Sequence, residues 1–218
     1  MIEKITKMRK FFLSVLAAVC VAIIVDARSV RDFFVSEKID AFNLVESNRR
    51  TEMLAYYDVG RIVPADNNLG GKSALVKVTD NYLAVDMSAA SRVEMLMLTS
   101  GRDTVIYVVN TVKLPAADSR LTVLNANCEP LSTEKMVKLP EMRDFITMPK
   151  GAAISAHDVL NDLRFPLISL SIDDSAMILT AKQNLRDFMG KEEYGKIAPY
   201  MTDSIEFERS GVRFKRKK

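Results

Sequence analysis

The segment whose spacing comes closest to known chemistry is Leu69-Gly70-Gly71-Lys72-Ser73. Its order matches the end of a phosphate-binding loop, where backbone N–H groups surround a phosphate and a lysine neutralises it. That loop needs a glycine where this chain has Asp66, and it needs a helix to follow. Here Leu75, Val76 and Val78 follow in a strand-like pattern, so a structural turn is the preferred reading. Asp66, Asn68 and Gly70 also have the opening spacing of a calcium loop. Such a loop needs an oxygen ligand at its fifth position and a glutamate at its twelfth, but Gly70 and Lys77 stand there. An Asx-rich turn accounts for these residues.

Ser155, His157 and Asp158 contain the residue types of a hydrolytic triad, but neighbours in sequence do not ordinarily point at one another. His157 is the only histidine, which excludes a histidine-based zinc cluster, and a capping or surface role fits residues 155–158. Cys128 would need a nearby base and a lowered pKa to be a nucleophile. The surrounding sequence offers neither, so a buried structural thiol is expected. Asp173-Asp174 and Glu192-Glu193 are adjacent pairs, read as turn and solvated-helix residues rather than acid/base dyads. The methionines, among them Met87, Met95, Met97, Met177, Met189 and Met201, read as flexible core filler. The tip Phe214-Lys215-Arg216-Lys217-Lys218 reads as a solvated end that could touch anionic lipid or a partner. No residue is therefore assigned as catalytic, cofactor-binding or metal-ligating, and no cofactor is expected.

The clearest signal is for export. Lys7, Arg9 and Lys10 form a basic start, Phe11 to Val25 is an almost unbroken apolar run, and Val25-Asp26-Ala27 has the small residues of a cleavage site. The run is shorter than the roughly 20 apolar residues of a permanent span. Met1 and Met8 are both possible starts. Lipoprotein processing at Cys20 fits less well, because Val19 precedes the cysteine where a small residue is wanted. With residues 1–27 removed, Cys128 is the one thiol left, and an intramolecular disulfide is excluded. The net charge of +3 over 218 residues hides a division. Lys4, Lys7, Arg9 and Lys10 lie in the signal, and Arg213, Lys215, Arg216, Lys217 and Lys218 lie at the other end. The body between them is mildly acidic, which is not the spread basic face that nucleic acid requires.

These residues must be positioned by an α+β domain spanning residues 28–218. Residues 29–60 read as helical, with Phe33, Phe34 and Ile39 on an apolar face, a second helix capped near Ser47 or Asn48, and a stop at Gly60. A mainly antiparallel β-meander follows, with strands expected at 74–79, 82–87, 92–98, 104–112, 120–124 and 136–139. Beyond it come a helix at 156–164, strands at 167–172 and 176–180, and a helix from Asn184 to Phe188. Pro199 should end the next helical stretch, and a hairpin at 205–214 closes the chain. Thr79-Asp80-Asn81-Tyr82-Leu83 and Asp173-Asp174-Ser175-Ala176-Met177 form a weak internal echo. A duplication into halves of about 28–140 and 141–218 would explain it.

Arg50-Thr51-Glu52-Met53-Leu54-Ala55-Tyr56-Tyr57-Asp58-Val59-Gly60, Asn68-Leu69-Gly70-Gly71-Lys72-Ser73, Thr79-Asp80-Asn81-Tyr82-Leu83 and Pro115-Ala116-Ala117-Asp118-Ser119-Arg120 occur in this order. Together they resemble an exported domain-of-unknown-function family of Bacteroidales, numbered three-two-five-six. The resemblance covers most of residues 28–218 and implies an envelope or secreted protein of a Gram-negative bacterium. It carries no activity, cofactor or site residue. The expected role is a non-enzymatic periplasmic or surface module that binds another envelope protein or a surface polymer. The alternatives are an extracytoplasmic hydrolase with dispersed Asp, Ser and His157, and a membrane-associated factor held by the basic tip. Secreted protein should begin at Arg28, and mass spectrometry of the exported form checks this. An exported form that keeps residues 1–27 would contradict the signal reading.

Overall fold

The structure is a computed structural model that describes residues 28–152, 155–156, 159 and 166–218. Helix α1 (Val30–Val35) starts at Ser29, whose hydroxyl accepts from the Asp32 N–H while the Asp32 carboxylate accepts from the Ser29 N–H. A short 3₁₀ turn (Asp40–Phe42) leads to α2 (Ser47–Asp58), and Gly60 ends it at φ 72°. The helical reading of 29–60 holds outside the connection at 36–46, but the expected cap does not. Glu46 stands at the N-cap without a side-chain bond, and the Ser47 hydroxyl donates to the Val35 carbonyl instead. Phe33, Phe34, Phe42, Met53 and Leu54 are buried on the inner side of this segment. Arg50, only 1% exposed, reaches from α2 to donate to the carbonyls of Phe34 (2.7 Å) and Ser36 (3.2 Å). One guanidinium thus ties α2 to the end of α1.

Six antiparallel strands follow in sequence order: β1 (Ala65–Asp66), β2 (Lys72–Val78), β3 (Tyr82–Ser88), β4 (Ser91–Ser100), β5 (Asp103–Val112) and β6 (Asp118–Asn125). This is the expected meander, and Gly101 at φ 61° supplies the left-handed residue of the tight β4–β5 turn. Residues 136–139 are not the strand that was expected. Thr133–Met136 forms a helical turn, α3, in which the Val137 N–H donates to the Thr133 carbonyl. The segment 137–140 then runs without joining a ladder, and Pro140 has no N–H to donate.

The second sheet has the order β10-β9-β8-β7, formed by β7 (Ile168–Asp173), β8 (Ile178–Gln183), β9 (Ser204–Ser210) and β10 (Arg213–Arg216). Between β8 and β9 lie α4 (Leu185–Met189) and α5 (Lys191–Ile197), and α5 gives way to a 3₁₀ turn at Ala198–Tyr200, as Pro199 predicts. The helix expected at 156–164 lies largely outside the described residues. Ala156 and Val159 are helical, and the Val159 N–H donates to the Ser155 carbonyl.

The six-stranded sheet is the middle of three layers. One face, with Leu83, Val85, Val93, Met95, Ile106 and Val108, packs against the helices. The other, with Leu96, Leu98, Tyr107, Val109 and Val123, packs against the second sheet through Leu170, Leu179, Ala181 and Phe207. A strand covered on both sides has no polar face to present, so β5 carries Val105 to Val109 as a continuous buried run.

The second sheet lies against the first without joining its ladder. The N–H groups along the outer edge of β7 meet side chains instead. Ile168 donates to Asp118 Oδ1 (3.2 Å), Leu170 to Ser119 Oγ (2.9 Å) and Ile172 to Glu94 Oε1 (3.3 Å). Glu94, 6% exposed between the sheets, also accepts from the Tyr82 hydroxyl (2.6 Å). Burial pushes its carboxyl above the usual glutamate range, opposed by those two hydrogen bonds and by the charge of Arg92.

The folded protein therefore holds a proton on Glu94 more tightly than the unfolded chain does. The stability this provides is complete below the ordinary glutamate value and is lost as pH rises through the raised one. Glu94→Gln keeps the neutral shape and should flatten this dependence. Urea midpoints of both proteins between about pH 4 and 8 check it, the wild type losing stability relative to the variant as pH rises. Parallel curves would contradict a carboxyl raised by burial.

Candidate functional site

The sequence-flagged residues are dispersed over the molecule, and most have structural work. Asn67, not the glycines, organises the phosphate-loop-like segment. Its Oδ1 accepts from the N–H groups of Leu69 (3.1 Å) and Gly71 (3.0 Å), and its Nδ2 donates to the Met87 carbonyl (3.1 Å). Those amides are consequently not available to a phosphate. Gly70 takes φ 75°, and Lys72 pairs with Asp66 rather than with a ligand. Asn68 binds back to the carbonyls of Leu44 and Asn43, which fastens the turn to the helical layer. The turn readings of this segment hold.

Asp173 and Asp174 diverge. Asp173 Oδ1 accepts from Ser175 and Ala176 in an Asx turn, and these bonds hold its carboxyl below the usual range. Asp174 instead meets Lys77 and Thr79, so the two turns of the sequence echo touch each other. Glu192 and Glu193 sit in the first turn of α5, where acids favour the helix dipole. Met87 and Met95 are core residues, while Met97 and Met177 are partly buried at its edge. Asn184 stands before α4, but its side chain does not cap the helix; it donates to the Ala117 carbonyl (2.7 Å) and to Ser169 Oγ (2.8 Å).

His157 and Asp158 lie outside the described residues. Cys128 is half-buried in a turn at φ 65°, and burial raises its thiol pKa while Lys38 and Arg28 pull it down. It lines an open cleft of about 430 Å³ with Lys38, Asp40, Asn110 and Arg120, where basic and acidic groups are mixed. Among the described residues no group of three or more His, Cys, Asp or Glu side chains could hold a metal ion. No described helix is long and apolar enough to cross a membrane.

One groove stands apart in charge. A cavity of about 500 Å³ runs between β10 and the segment from Glu134 to Pro140. Arg213, Lys215 and Arg216 line one wall, and Lys135 and Lys138 line the other. All five are exposed, and among the described residues none makes an ion pair. Glu134 and Asp144 are the acids in the lining, and Met136, Leu139 and Phe207 give it apolar patches. The reading of 214–218 as a solvated tip holds for the charged residues, which are exposed, but not for Phe214, nor for a loose end, since Arg213–Arg216 pairs with β9. Phe214 is 3% exposed, and its ring stacks edge-on against Tyr107 at 5.1 Å. The Tyr107 hydroxyl donates to the Val212 carbonyl (2.7 Å), and Arg209 donates to the Thr99 carbonyl (2.9 Å). The basic end is thus a strand pinned to the central sheet. Phe207 and Phe214, alternating with charges on paired strands, were the sequence signal for it. The opposite wall carried no such signal, because 136–139 reads as a strand.

The fold has a solved counterpart. A domain of an uncharacterized protein from Porphyromonas gingivalis W83 superposes with a TM-score of 0.72 at 22% identity, covering 84% of this chain and 96% of that one. That likeness speaks for the fold alone. No curated protein matches the sequence. Residues 22–214 match the family described as protein of unknown function (DUF3256), and the chain belongs to that family, as its ordered sequence segments predict.

Proposed function

We propose that this chain is an exported, non-enzymatic binding or assembly module of the cell envelope, which holds an acidic partner in the groove beside β10. The observation that carries this reading is the set of five exposed basic side chains, unpaired among the described residues, on two facing walls of one cavity. Like charges gathered along one groove make a positive field that attracts an anionic occupant. Apolar patches within the same lining add contact area that a simple counterion would not use. The signal read in residues 1–27 supports a role outside the cytoplasm, where an acidic segment of an envelope protein or an anionic surface polymer would be the partner.

The double variant Lys138→Glu/Arg216→Glu reverses one charge on each wall at exposed positions, so it should fold and melt like the wild type. Crosslinking in the native envelope, followed by affinity purification and mass spectrometry, should return a partner with the wild type and lose it, by about tenfold or more, with the variant. The same captured partners in equal amounts with both proteins would contradict the groove as the binding site.

A further inference from the structure

The mode of binding can be read from the ladder beside the groove. Arg213 pairs with Ser210 across the two-residue loop Gly211-Val212, and the Lys217 N–H donates to the Glu206 carbonyl at 2.8 Å. In an antiparallel ladder, alternate residues exchange hydrogen bonds with the neighbour. Arg213, Lys215 and Lys217 therefore turn their peptide groups toward β9. Those of Phe214 and Arg216 turn outward, on the side of β10 where the sheet ends. Among the described residues they make no hydrogen bond. The outward edge of β7, at the other end of the same sheet, is met by side chains of Asp118, Ser119 and Glu94.

We infer that β10 accepts an extended acidic peptide of a partner protein as a fifth, antiparallel strand of the second sheet, lying in the groove between β10 and residues 134–140. This rests on the groove being the binding site, and it specifies how the site is used. Three features favour a polypeptide over a polymer of another kind. The outward peptide groups of β10 offer a two-residue hydrogen-bonding repeat that another backbone matches. The lining mixes Lys135 and Lys138 with Met136 and Leu139, which suits a strand whose acidic and apolar side chains alternate. The hairpin is already fixed by Tyr107 and Arg209, so little ordering is needed on the protein side. A second copy of this chain is disfavoured at the edge, since two β10 strands side by side would oppose Arg213, Lys215 and Arg216 to the same charges.

The test is calorimetric titration of the purified protein with a synthetic peptide alternating Glu with Val or Thr. Two further peptides are N-methylated at every other amide, one in each alternating set, and vesicles of phosphatidylglycerol form the last arm. The probe carries the change, so folding of the protein is not at issue. Strand addition requires that the plain peptide binds, and that methylation of one alternating set weakens it about tenfold or more while the other set does less. The amide signals of Phe214 and Arg216 should shift and gain exchange protection on binding. Equal binding of all peptides, with those two amides unchanged, overturns strand addition but leaves the groove as an acidic-ligand site. No binding by any peptide overturns strand addition whatever the vesicles do. Binding by vesicles alone, abolished in Lys138→Glu/Arg216→Glu, would leave the groove as an anionic lipid site. No binding in any arm would count against the groove as well.

Discussion

The capping of β7 by side chains of the first sheet is the constraint on which the two-sheet arrangement depends. The free edge of a strand presents N–H groups that must find acceptors if they are buried. Here Asp118, Ser119 and Glu94 supply them, spaced so that every second residue of β7 is met. The amides of Leu170 and Ile172 lie in buried or partly buried surroundings, and leaving both unpaired would cost roughly 2–6 kcal/mol. That is a large fraction of the roughly 5–15 kcal/mol by which a domain is stable. Ser119 is itself oriented by Thr111 (2.7 Å), and Asn184 closes the same corner through the Ala117 carbonyl. At the far end Asp174 reaches Lys77 and Thr79. With β7 fixed in this way, the order of the sheet leaves β10 as its open edge among the described residues.

Much of this fold is legible in the sequence, for physical reasons that also explain what is not. Strands β2 to β6 show as apolar runs broken by Asp80-Asn81 and Ser100-Gly101, because local turn chemistry and side-chain alternation are written in neighbouring residues. Glu94 shows how a closer reading could have gone further. Val93 and Met95 line one face of β4, while Leu96 and Leu98 line the other, together with Glu94. A strand apolar on both sides is a strand between two layers. An acid on such a face must be buried and partnered. Besides the Tyr82 hydroxyl, its partner is the Ile172 amide, a backbone group 78 residues away that nothing in the sequence marks. The same holds for Arg50, whose acceptors are carbonyls at the end of α1.

The candidate site was legible only in part. The basic residues of the C-terminal end are plain in the sequence, but they read as a tail, since a short run of charge with one aromatic also describes a frayed end. Burial of Phe214 against Tyr107 turns that run into a strand with a fixed edge. Residues 136–139 have strand-forming types, and Val137 is buried as a strand residue would be. The helical turn before them and Pro140 after them keep the segment out of a ladder, so it stands across from β10 as the second wall of the groove. The residues that looked most like chemistry proved to be turn builders, because glycine, asparagine and aspartate serve tight turns as readily as they serve ligands.

Among the described residues the second sheet has one edge closed by side chains and one left open, and amide hydrogen exchange of the free protein tests this directly. Ile172 and Leu170 on β7 should exchange slowly, as members of the core. Phe214 and Arg216 on β10 should exchange much faster than Lys215 between them, whose N–H is bonded to β9. Slow exchange at Phe214 and Arg216, or fast exchange at Leu170 and Ile172, would contradict it.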